Sequence, residues 1–252
     1  MGKSVIINAD DFGHCKAVSY GIIEAFNTGV VSSTTALTVS PMFKASMELA
    51  KQLAPDLPVG LHLTLTLKGA KPVTSSSETT LVNTAGYFHT QDELIEKLNR
   101  KEIDLDEVAT EWEAQYLKFL ESGKKPTHID SHHHVHRLDG LFEVAQNLAL
   151  KHNLPMRNID RTTDVRTPDK TYGAFYAEGV TKAVLLDVFE QIAKGGELVS
   201  EIVVHPAYFD NELQRLTSYA LPRITELEIL TDDAIKRAIE KHELVLTDFH
   251  QI

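Results

Sequence analysis

The feature that most constrains the fold of this chain is a regular alternation of short apolar, β-branched segments with patterns of helical spacing. Strand-like segments recur at residues 4–9, 34–39, 59–65, 127–131, 156–159, 198–205 and 244–247. Helical patterns lie between them, at residues 18–26, 106–120, 141–151, 180–193 and 232–242. This alternation predicts parallel strands joined by crossover helices. Seven strands in 252 residues predict an α/β fold, a (β/α) barrel of the TIM type that is distorted or not fully closed.

Two long stretches interrupt this alternation, at residues 69–89 and 160–179. Both are longer than the usual connections between a strand and a helix. Thr90 followed by Glu93 then predicts a capping box that starts a new helix. Long insertions after barrel strands commonly line the substrate mouth. We therefore interpret both stretches as loops around a site, within a single domain that spans residues 1–252.

The charge and composition of the chain narrow the classes of partner. Thirty-six acidic residues against 25 basic ones give a formal net charge of -11, which disfavours binding to nucleic acid phosphates. No apolar run approaches the ~20 residues that a membrane helix needs, and the first residues show no signal-peptide pattern. These observations predict a cytoplasmic protein that acts on a small molecule. Cys15 is the single cysteine, so any metal ligands have to be His, Asp or Glu.

A run of nine residues, 128–136, contains five of the twelve histidines and one aspartate. Imidazole and carboxylate are ligands that borderline divalent metals take. Because the run lies in the middle of the chain and leads into a helical pattern, it belongs to the fold and is not an expression tag. The alternative is a histidine-rich surface loop that binds nothing in particular.

The length of the preceding strand decides which of these histidines face one side. If the strand continues, alternation places four residues together, namely His128, Asp130, His132 and His134. If the strand ends near Ser131, the later histidines scatter. A catalytic site with three protein ligands would in either case leave some of them for other tasks.

The first strand-like segment ends in Asn8-Ala9-Asp10-Asp11-Phe12-Gly13, with two adjacent carboxylates. Neighbouring side chains on an extended chain point to opposite sides, so one carboxylate can bind a metal while the other acts as a base. The alternative is that Asp10 or Asp11 caps the next helix or forms a turn.

Three further polar residues lie at the ends of predicted strands. His62 lies on the face of segment 59–65 that points into the barrel mouth, although a hydrogen-bonded core histidine is the alternative. His205 ends a strand before Pro206 and, beside a metal, is a candidate general acid; a structural role at the X-Pro step is the alternative. Arg157 could orient a carboxylate or form an ordinary salt bridge.

In their order along the chain, these clusters resemble the YdjC-like carbohydrate deacetylase family, and within it the diacetylchitobiose (chitooligosaccharide) deacetylases. The matching text comprises Asn8 to Gly13, Gly60-Leu61-His62, Pro126 to His136 and His205-Pro206-Ala207. Further similarity at residues 20–25, 33–37 and 222–227 extends the resemblance over nearly the whole chain. The long histidine motif is specific to the family, whereas the short His-Pro pair is not.

The resemblance implies a barrel-like polysaccharide-deacetylase relative that removes acetyl groups from N-acetylglucosamine units of small chitooligosaccharides. It implies one divalent metal ion, usually magnesium, on three residues, Asp11, His62 and His128. It also implies Asp10 as the base, and we expect His205 to be the acid. Substrate contacts or supporting hydrogen bonds are then left for His132, His134 and Arg157.

Ligand chemistry widens the choice of metal. Two imidazoles are softer ligands than magnesium usually takes, so zinc, manganese and cobalt are alternatives. His14 and Cys15 depart from the apolar or hydroxyl residues of the family pattern, which leaves the substrate contacts of that turn open.

Two other functions fit the same residues. A metal-dependent phosphoester hydrolase uses similar ligands, often with two ions about 3.5–4 Å apart. A non-enzymatic protein that binds metal or sugar is the second. A glycosidase is less favoured, because no acidic pair other than Asp10 and Asp11 stands out.

The sequence leaves several properties of the substrate and the assembly open. It does not reveal the number of sugar units or whether the sugar carries a 6-phosphate. Three arginines could contact such a phosphate, namely Arg157, Arg161 and Arg166. A homodimer is the expectation for an assembled form, because it is the commonest soluble oligomer.

Overall fold

The computed structural model describes residues 2–74, 79–158 and 160–252. Seven strands form one sheet in which every pairing is parallel. The strands are β1 (Lys3–Phe12), β2 (Ser33–Ala36), β3 (Val59–Leu63), β4 (Ile129–Ser131), β5 (Lys170–Tyr172), β6 (Val199–Val204) and β7 (Leu244–Leu246). Their order is β4-β3-β2-β1-β6-β5, with β7 paired to β1. The sheet curls into a half-barrel, which confirms the α/β, barrel-like fold that the alternation predicts.

Strand β1 is long enough to have three neighbours. It pairs with β6 from Ser4 to Ala9 along one edge. The other edge is shared by two strands. Strand β7 pairs with residues 3–5 of β1, and β2 pairs with β1 from Asn8 onward. This arrangement leaves the carboxyl end of β1 in the middle of the half-barrel, where polar residues on several strand ends can meet.

Helices connect the strands and cover the outer face of the sheet. They are α1 (Lys16–Asn27), α2 (Phe43–Leu53), α3 (Gln91–Asn99), α4 (Leu105–Leu120), α5 (Leu141–His152), α6 (Lys182–Lys194), α7 (Asn211–Leu216), α8 (Leu221–Leu230) and α9 (Asp233–Lys241). The predicted capping box starts α3, since the Thr90 hydroxyl accepts from the Glu93 N–H and the Glu93 carboxylate accepts from the Thr90 N–H. Among the described residues, no helix is both long and apolar enough to cross a membrane.

Strand β3 shows how the core and the interior of the half-barrel are divided. Leu61 and Leu63 belong to the buried apolar cluster that also contains Trp112 of α4. The alternate residues, Gly60 and His62, face the interior of the half-barrel, as the alternation predicts. The inner face of the sheet is therefore polar and available for chemistry.

The predicted strand at residues 156–159 forms only one bridge, between Met156 and Ile129, and Ile159 lies outside the described residues. Two backbone hydrogen bonds still hold this segment beside β4, from Ile129 N to Pro155 O and from Arg157 N to Ile129 O. The segment thus completes the wall of the half-barrel next to β4 and positions Arg157. Strand β5 lies within the predicted 160–179 insertion and was not predicted, because it is only three residues long and begins with a lysine.

The insertion at residues 69–89 is fastened to α4 by carboxylates. Glu111 is fully buried and accepts hydrogen bonds from the backbone N–H groups of Val73 and Thr74, each at 2.9 Å. Glu107, one turn earlier on α4, accepts from the Thr80 N–H at 2.7 Å. These bonds hold both described parts of the insertion at the carboxyl end of the sheet.

Candidate metal centre

A cavity of about 790 Å³ opens at the carboxyl ends of the strands. The residues that line it include Asp10, Asp11, His62, His132, His205 and Arg223. Both insertions contribute to its wall, through Tyr87 and Phe88 on one side and Tyr176 on the other. The sequence-predicted acids therefore meet four of the predicted histidines in one cavity, namely His62, His132, His134 and His205.

The adjacent carboxylates reach the cavity together because β1 is irregular at its end. The register between β1 and β2 shifts between Ala9 and Phe12, and Asp11 has a φ of 74°. The expectation that Asp10 and Asp11 point to opposite sides is wrong, because the alternation rule holds only for extended backbone. A bulge of this kind re-aims a side chain, and here it directs both carboxylates toward the cavity.

Asp11, His62 and His132 form a compact group of metal-ligating atoms. Oδ1 of Asp11 lies 2.8 Å from Nδ1 of His132 and 3.4 Å from Nε2 of His62. Three atoms bound to one ion at about 2.0–2.2 Å would lie roughly 3–3.4 Å apart. All three residues are buried, and their ligand atoms lie within 4.8 Å of one another. The observed spacing and donor types fit one divalent cation.

Neighbouring groups fix the orientation of two of these residues. Nδ1 of His62 lies 2.7 Å from a carboxylate oxygen of Asp130, which leaves Nε2 directed at Asp11. A carboxylate behind a histidine in this way sets the tautomer and orientation that a metal ligand needs. Arg223 donates from Nη2 to Oδ2 of Asp11 at 2.5 Å, which leaves Oδ1 facing the histidines.

The histidine run scatters after β4, as expected for a strand that ends at Ser131. His133 and His134 adopt left-handed backbone conformations, with φ values of 54° and 52°. As a result His132 faces Asp11, while Nδ1 of His133 lies 2.9 Å from the Thr66 hydroxyl. His134 lines the cavity, and its Nδ1 lies 3.4 Å from Nη1 of Arg157.

The structure does not bring His128 to this group. Its ring stacks on Phe249, with centroids 3.5 Å apart and planes at 6°. An ideal Cβ on Gly60 would lie 2.5 Å from its ring atoms, so His128 fills the space beneath His62. The geometry therefore supports His132, and not His128, as the third ligand. We call Asp11, His62, Asp130 and His132 the ligand layer, and Gly60, His128 and Phe249 the lower layer.

The two layers change histidine pKa values in opposite directions. Burial opposes a charge on His62, but the carboxylates of Asp130 and Asp11 outweigh it and raise the pKa to about 10. Burial, together with the Arg157 guanidinium, lowers the pKa of His128 well below its usual value. His62 thus carries a proton that a metal ion could replace, whereas His128 is neutral.

Arg157 links three carboxylates beneath the cavity and is almost fully buried. Its Nη1 and Nη2 donate to the two oxygens of Asp10, at 2.8 and 2.7 Å, in a bidentate pair. Nη2 also lies 2.9 Å from Asp130, and Nε donates to Glu201 at 2.8 Å. The expectation that Arg157 orients a carboxylate thus agrees with the geometry at Asp10.

The shared guanidinium does not act equally on these carboxylates. Burial tends to raise the pKa of Asp10, but the Arg157 guanidinium outweighs it and holds that pKa well below its usual range. Burial raises the pKa of Glu201 to about 7, although Arg157 acts in the opposite direction. Asp10 is therefore the ionised member of the pair next to the cavity.

His205 lies beside Asp10, near the carboxylate oxygen that also accepts from Nη1 of Arg157. Its Nε2 is 4.0 Å from Oδ2 of Asp10, and its backbone N–H donates to a carboxylate oxygen of Glu226. Burial lowers the pKa of His205 to about 4, although the Asp10 carboxylate opposes that shift. The resting imidazole is therefore neutral and adjacent to an ionised carboxylate.

Sequence reasoning assigned no role to two residues of α8 that contact this site. Arg223 pairs with Asp11, and Glu226 bonds to the backbone of His205. Residues 222–227 are similar to the family, which is the signal that could have identified them. Their partners lie as far as 212 positions away along the chain, so no local pattern connects them.

Comparisons with known proteins agree with the resemblance. A family model described as YdjC-like protein matches residues 4–241. A carbohydrate deacetylase from Enterococcus faecalis V583 is 44% identical, over 99% of this chain and 98% of that protein. A chitooligosaccharide deacetylase from Yersinia enterocolitica is 39% identical, over 96% of each chain.

Solved structures share the fold. One is the crystal structure of a protein from E. faecalis V583 that is described as a proposed cellobiose-phosphate cleavage protein. It has a TM-score of 0.94 and 42% identity, and the match covers 100% of this chain and 99% of that one. A family 4 carbohydrate esterase from Streptomyces lividans, at 10% identity and a TM-score of 0.55, shares the fold alone, over 98% of this chain and 92% of that one. The near-complete family match and these relatives show that the chain belongs to the YdjC-like family.

Proposed function

We propose that this protein is a metal-dependent carbohydrate deacetylase. It removes the N-acetyl group from N-acetylglucosamine units of small chitooligosaccharides and releases acetate. The observation that carries the proposal is the meeting of a metal-ligating group with an oriented carboxylate, Asp10, and a histidine, His205, on one cavity wall. The names of the two deacetylase relatives support the same chemistry.

Asp11, His62 and His132 would hold one divalent cation. When bound, it supplies Lewis-acid polarisation of an amide carbonyl and lowers the pKa of water, toward about 7 for zinc. Two imidazoles in the set favour zinc, manganese or cobalt, whereas the family resemblance favours magnesium. Metal analysis of the purified protein distinguishes these ions.

Asp10 is the proposed general base. Its bidentate pair with Arg157 fixes the plane of the carboxylate and keeps it ionised, so that it can accept a proton from an attacking water. Asn8 also donates to Oδ1 of Asp10 at 2.9 Å, while Oδ2, which accepts from Nη1 of Arg157, lies 4.0 Å from Nε2 of His205. The base and the proposed acid are thus direct neighbours.

His205 is the proposed general acid for the departing amine. Because its resting imidazole is neutral, it must gain a proton during the reaction before it can donate one. The 4.0 Å distance from Oδ2 of Asp10 to Nε2 gives the proton taken from water a short path to His205. The amine then leaves with that proton, and acetate is the other product.

A two-metal phosphoester hydrolase is a poorer fit. A second group of potential ligands exists at Asp10, His62 and Asp130, but it shares His62 with the first. The Arg157 guanidinium pairs with both Asp10 and Asp130, so a second cation there would face a buried positive charge. The site is therefore suited to one ion.

The decisive test is acetate release from diacetylchitobiose by the metal-loaded protein, with product masses recorded for a panel of chitooligosaccharides. The panel includes 6-phosphorylated disaccharides, since the similar E. faecalis protein is named for the cleavage of a disaccharide phosphate. Loss of activity after chelation and its return with metal are expected. Phosphate release without acetate release would contradict the proposal. A cytoplasmic location and a homodimer stay predictions.

A further inference from the structure

The segment that follows β5 presents a tyrosine to the cavity. Tyr176 lines the cavity and is 47% exposed. The turn after it is tight, since an ideal Cβ on Gly179 would lie 2.0 Å from the carbonyl oxygen of Ala174. Ala177 adopts a left-handed conformation with a φ of 52°, which is costly for a residue with a Cβ. The backbone is thus shaped so that Tyr176 stands at the cavity wall.

Tyr219 supports the ring of Tyr176 from behind. The two rings stack with centroids 4.3 Å apart and planes at 17°. The Tyr219 hydroxyl donates to Glu226 at 2.6 Å and accepts from the Ala177 N–H at 3.1 Å. Because both the ring and the hydroxyl of Tyr219 have fixed partners, Tyr176 rests on a rigid base.

The same carboxylate ties this aromatic pair to the proposed acid. One oxygen of Glu226 accepts from Tyr219, and the other accepts from the backbone N–H of His205. The rings of Tyr176 and His205 meet edge to face, with centroids 5.4 Å apart. The position of the Tyr176 ring relative to His205 is therefore set by one buried group.

We propose that Tyr176, backed by Tyr219, binds the pyranose ring that carries the reacting acetamide. This inference rests on the proposed function, which supplies a sugar as the occupant. A gluco-configured pyranose directs its hydroxyls outward and presents C–H groups on its faces, which suit the negative face of an aromatic ring. A sugar stacked on Tyr176 would hold its exocyclic nitrogen within reach of His205.

The alternative for Tyr176 is a purely structural role in the loop. Its high exposure argues against that role, because a half-exposed ring adds little to a core. Tyr208 provides a matched control, since it is 46% exposed and is not among the residues that line the cavity. Tyr176→Phe keeps the ring and removes only the hydroxyl.

The test is calorimetric titration of the metal-loaded protein with the fully deacetylated disaccharide, which cannot be turned over. Tyr176→Ala should weaken binding by about 10-fold, as expected for loss of one aromatic contact and its buried area. Tyr176→Phe and Tyr208→Ala should bind like the parent protein. With diacetylchitobiose as substrate, Tyr176→Ala should raise KM by a similar factor and change kcat little.

Equal binding by Tyr176→Ala and the parent, or equal losses in the Ala and Phe variants, would overturn the inference. So would a fall in kcat at unchanged KM. The outcome is separable from that of the proposed function. If no acetate is released while sugar binding still depends on Tyr176, only the deacetylase proposal fails. If acetate is released while sugar binding does not depend on Tyr176, only the proposed stacking site fails.

Discussion

The ligand layer and the lower layer of the half-barrel both contain a buried histidine, but they treat it in opposite ways. His62 is 1% exposed and His128 is 0% exposed, so burial alone cannot separate them. His62 lies against Asp130 and Asp11, whereas His128 lies against the ring of Phe249. The comparison teaches that the partner, and not the depth, decides whether a buried imidazole is held protonated or neutral.

The largest expected effect concerns Asp10, which borders the ligand layer without joining the metal-ligating group. Asp10→Asn keeps the volume but cannot accept a proton, so turnover should fall by about 10²–10⁴-fold with metal retained. Acetate release and metal content, measured on the same samples at saturating metal, check this. Turnover at the parent rate would mean that another group is the base.

The next effect distinguishes the two layers directly. His132→Ala should weaken metal affinity by more than about 100-fold, because even loss of a group behind a ligand costs 10–100-fold. His128→Ala should keep the full metal content and lose only stability. Metal analysis after dialysis, with circular dichroism to confirm folding, provides the comparison. The reverse pattern would return the third ligand to His128, as the family resemblance first implied.

A pH experiment tests the lower layer alone. The folded-state pKa of His128 lies well below its ordinary value of 6.5, so the unfolded chain binds a proton that the folded protein does not. The free energy of unfolding therefore decreases as the pH falls below 6.5, and His128 accounts for up to about 1.4 kcal/mol of that decrease per pH unit. Urea unfolding at several pH values should show a shallower acid loss for His128→Gln. Identical slopes would mean that His128 does not resist protonation.

The smallest effect tests the packing of the lower layer. Gly60→Ala would place a Cβ 2.5 Å from the ring of His128, so either the ring or β3 must move. We expect a loss of about 1–3 kcal/mol in the free energy of unfolding, typical of overpacking. Metal content should not change. A neutral effect on stability would show that His128 has room to shift, and a loss of metal would show that the layers are coupled.

The sequence predicts those parts of this architecture that depend on local patterns. Strand β3 alternates as expected and directs His62 inward, and the capping box starts α3 at the predicted residue. The position of His132 depends instead on where β4 ends and on two left-handed residues after it. Histidine is enriched in that conformation, but only a few per cent of residues other than glycine adopt it, so residue preferences do not reveal the turn.

The remaining parts of the site depend on contacts between distant segments. Arg223 reaches Asp11 from α8, and Glu226 reaches the backbone of His205 from the same helix. Neither contact leaves a periodicity or spacing in the sequence. Strand β5 was missed for a different reason, since three residues are too few to show alternation.

The irregular end of β1 has a consequence for protein engineering. The adjacent carboxylates share a cavity because the backbone changes register between Ala9 and Phe12, not because of any choice of side chain. Transplanting an Asp-Asp pair onto the regular strand of another parallel barrel would send one carboxylate into the surrounding helices. A designer who wishes to copy this site has to copy the left-handed residue and its shifted ladder, and only then the acids.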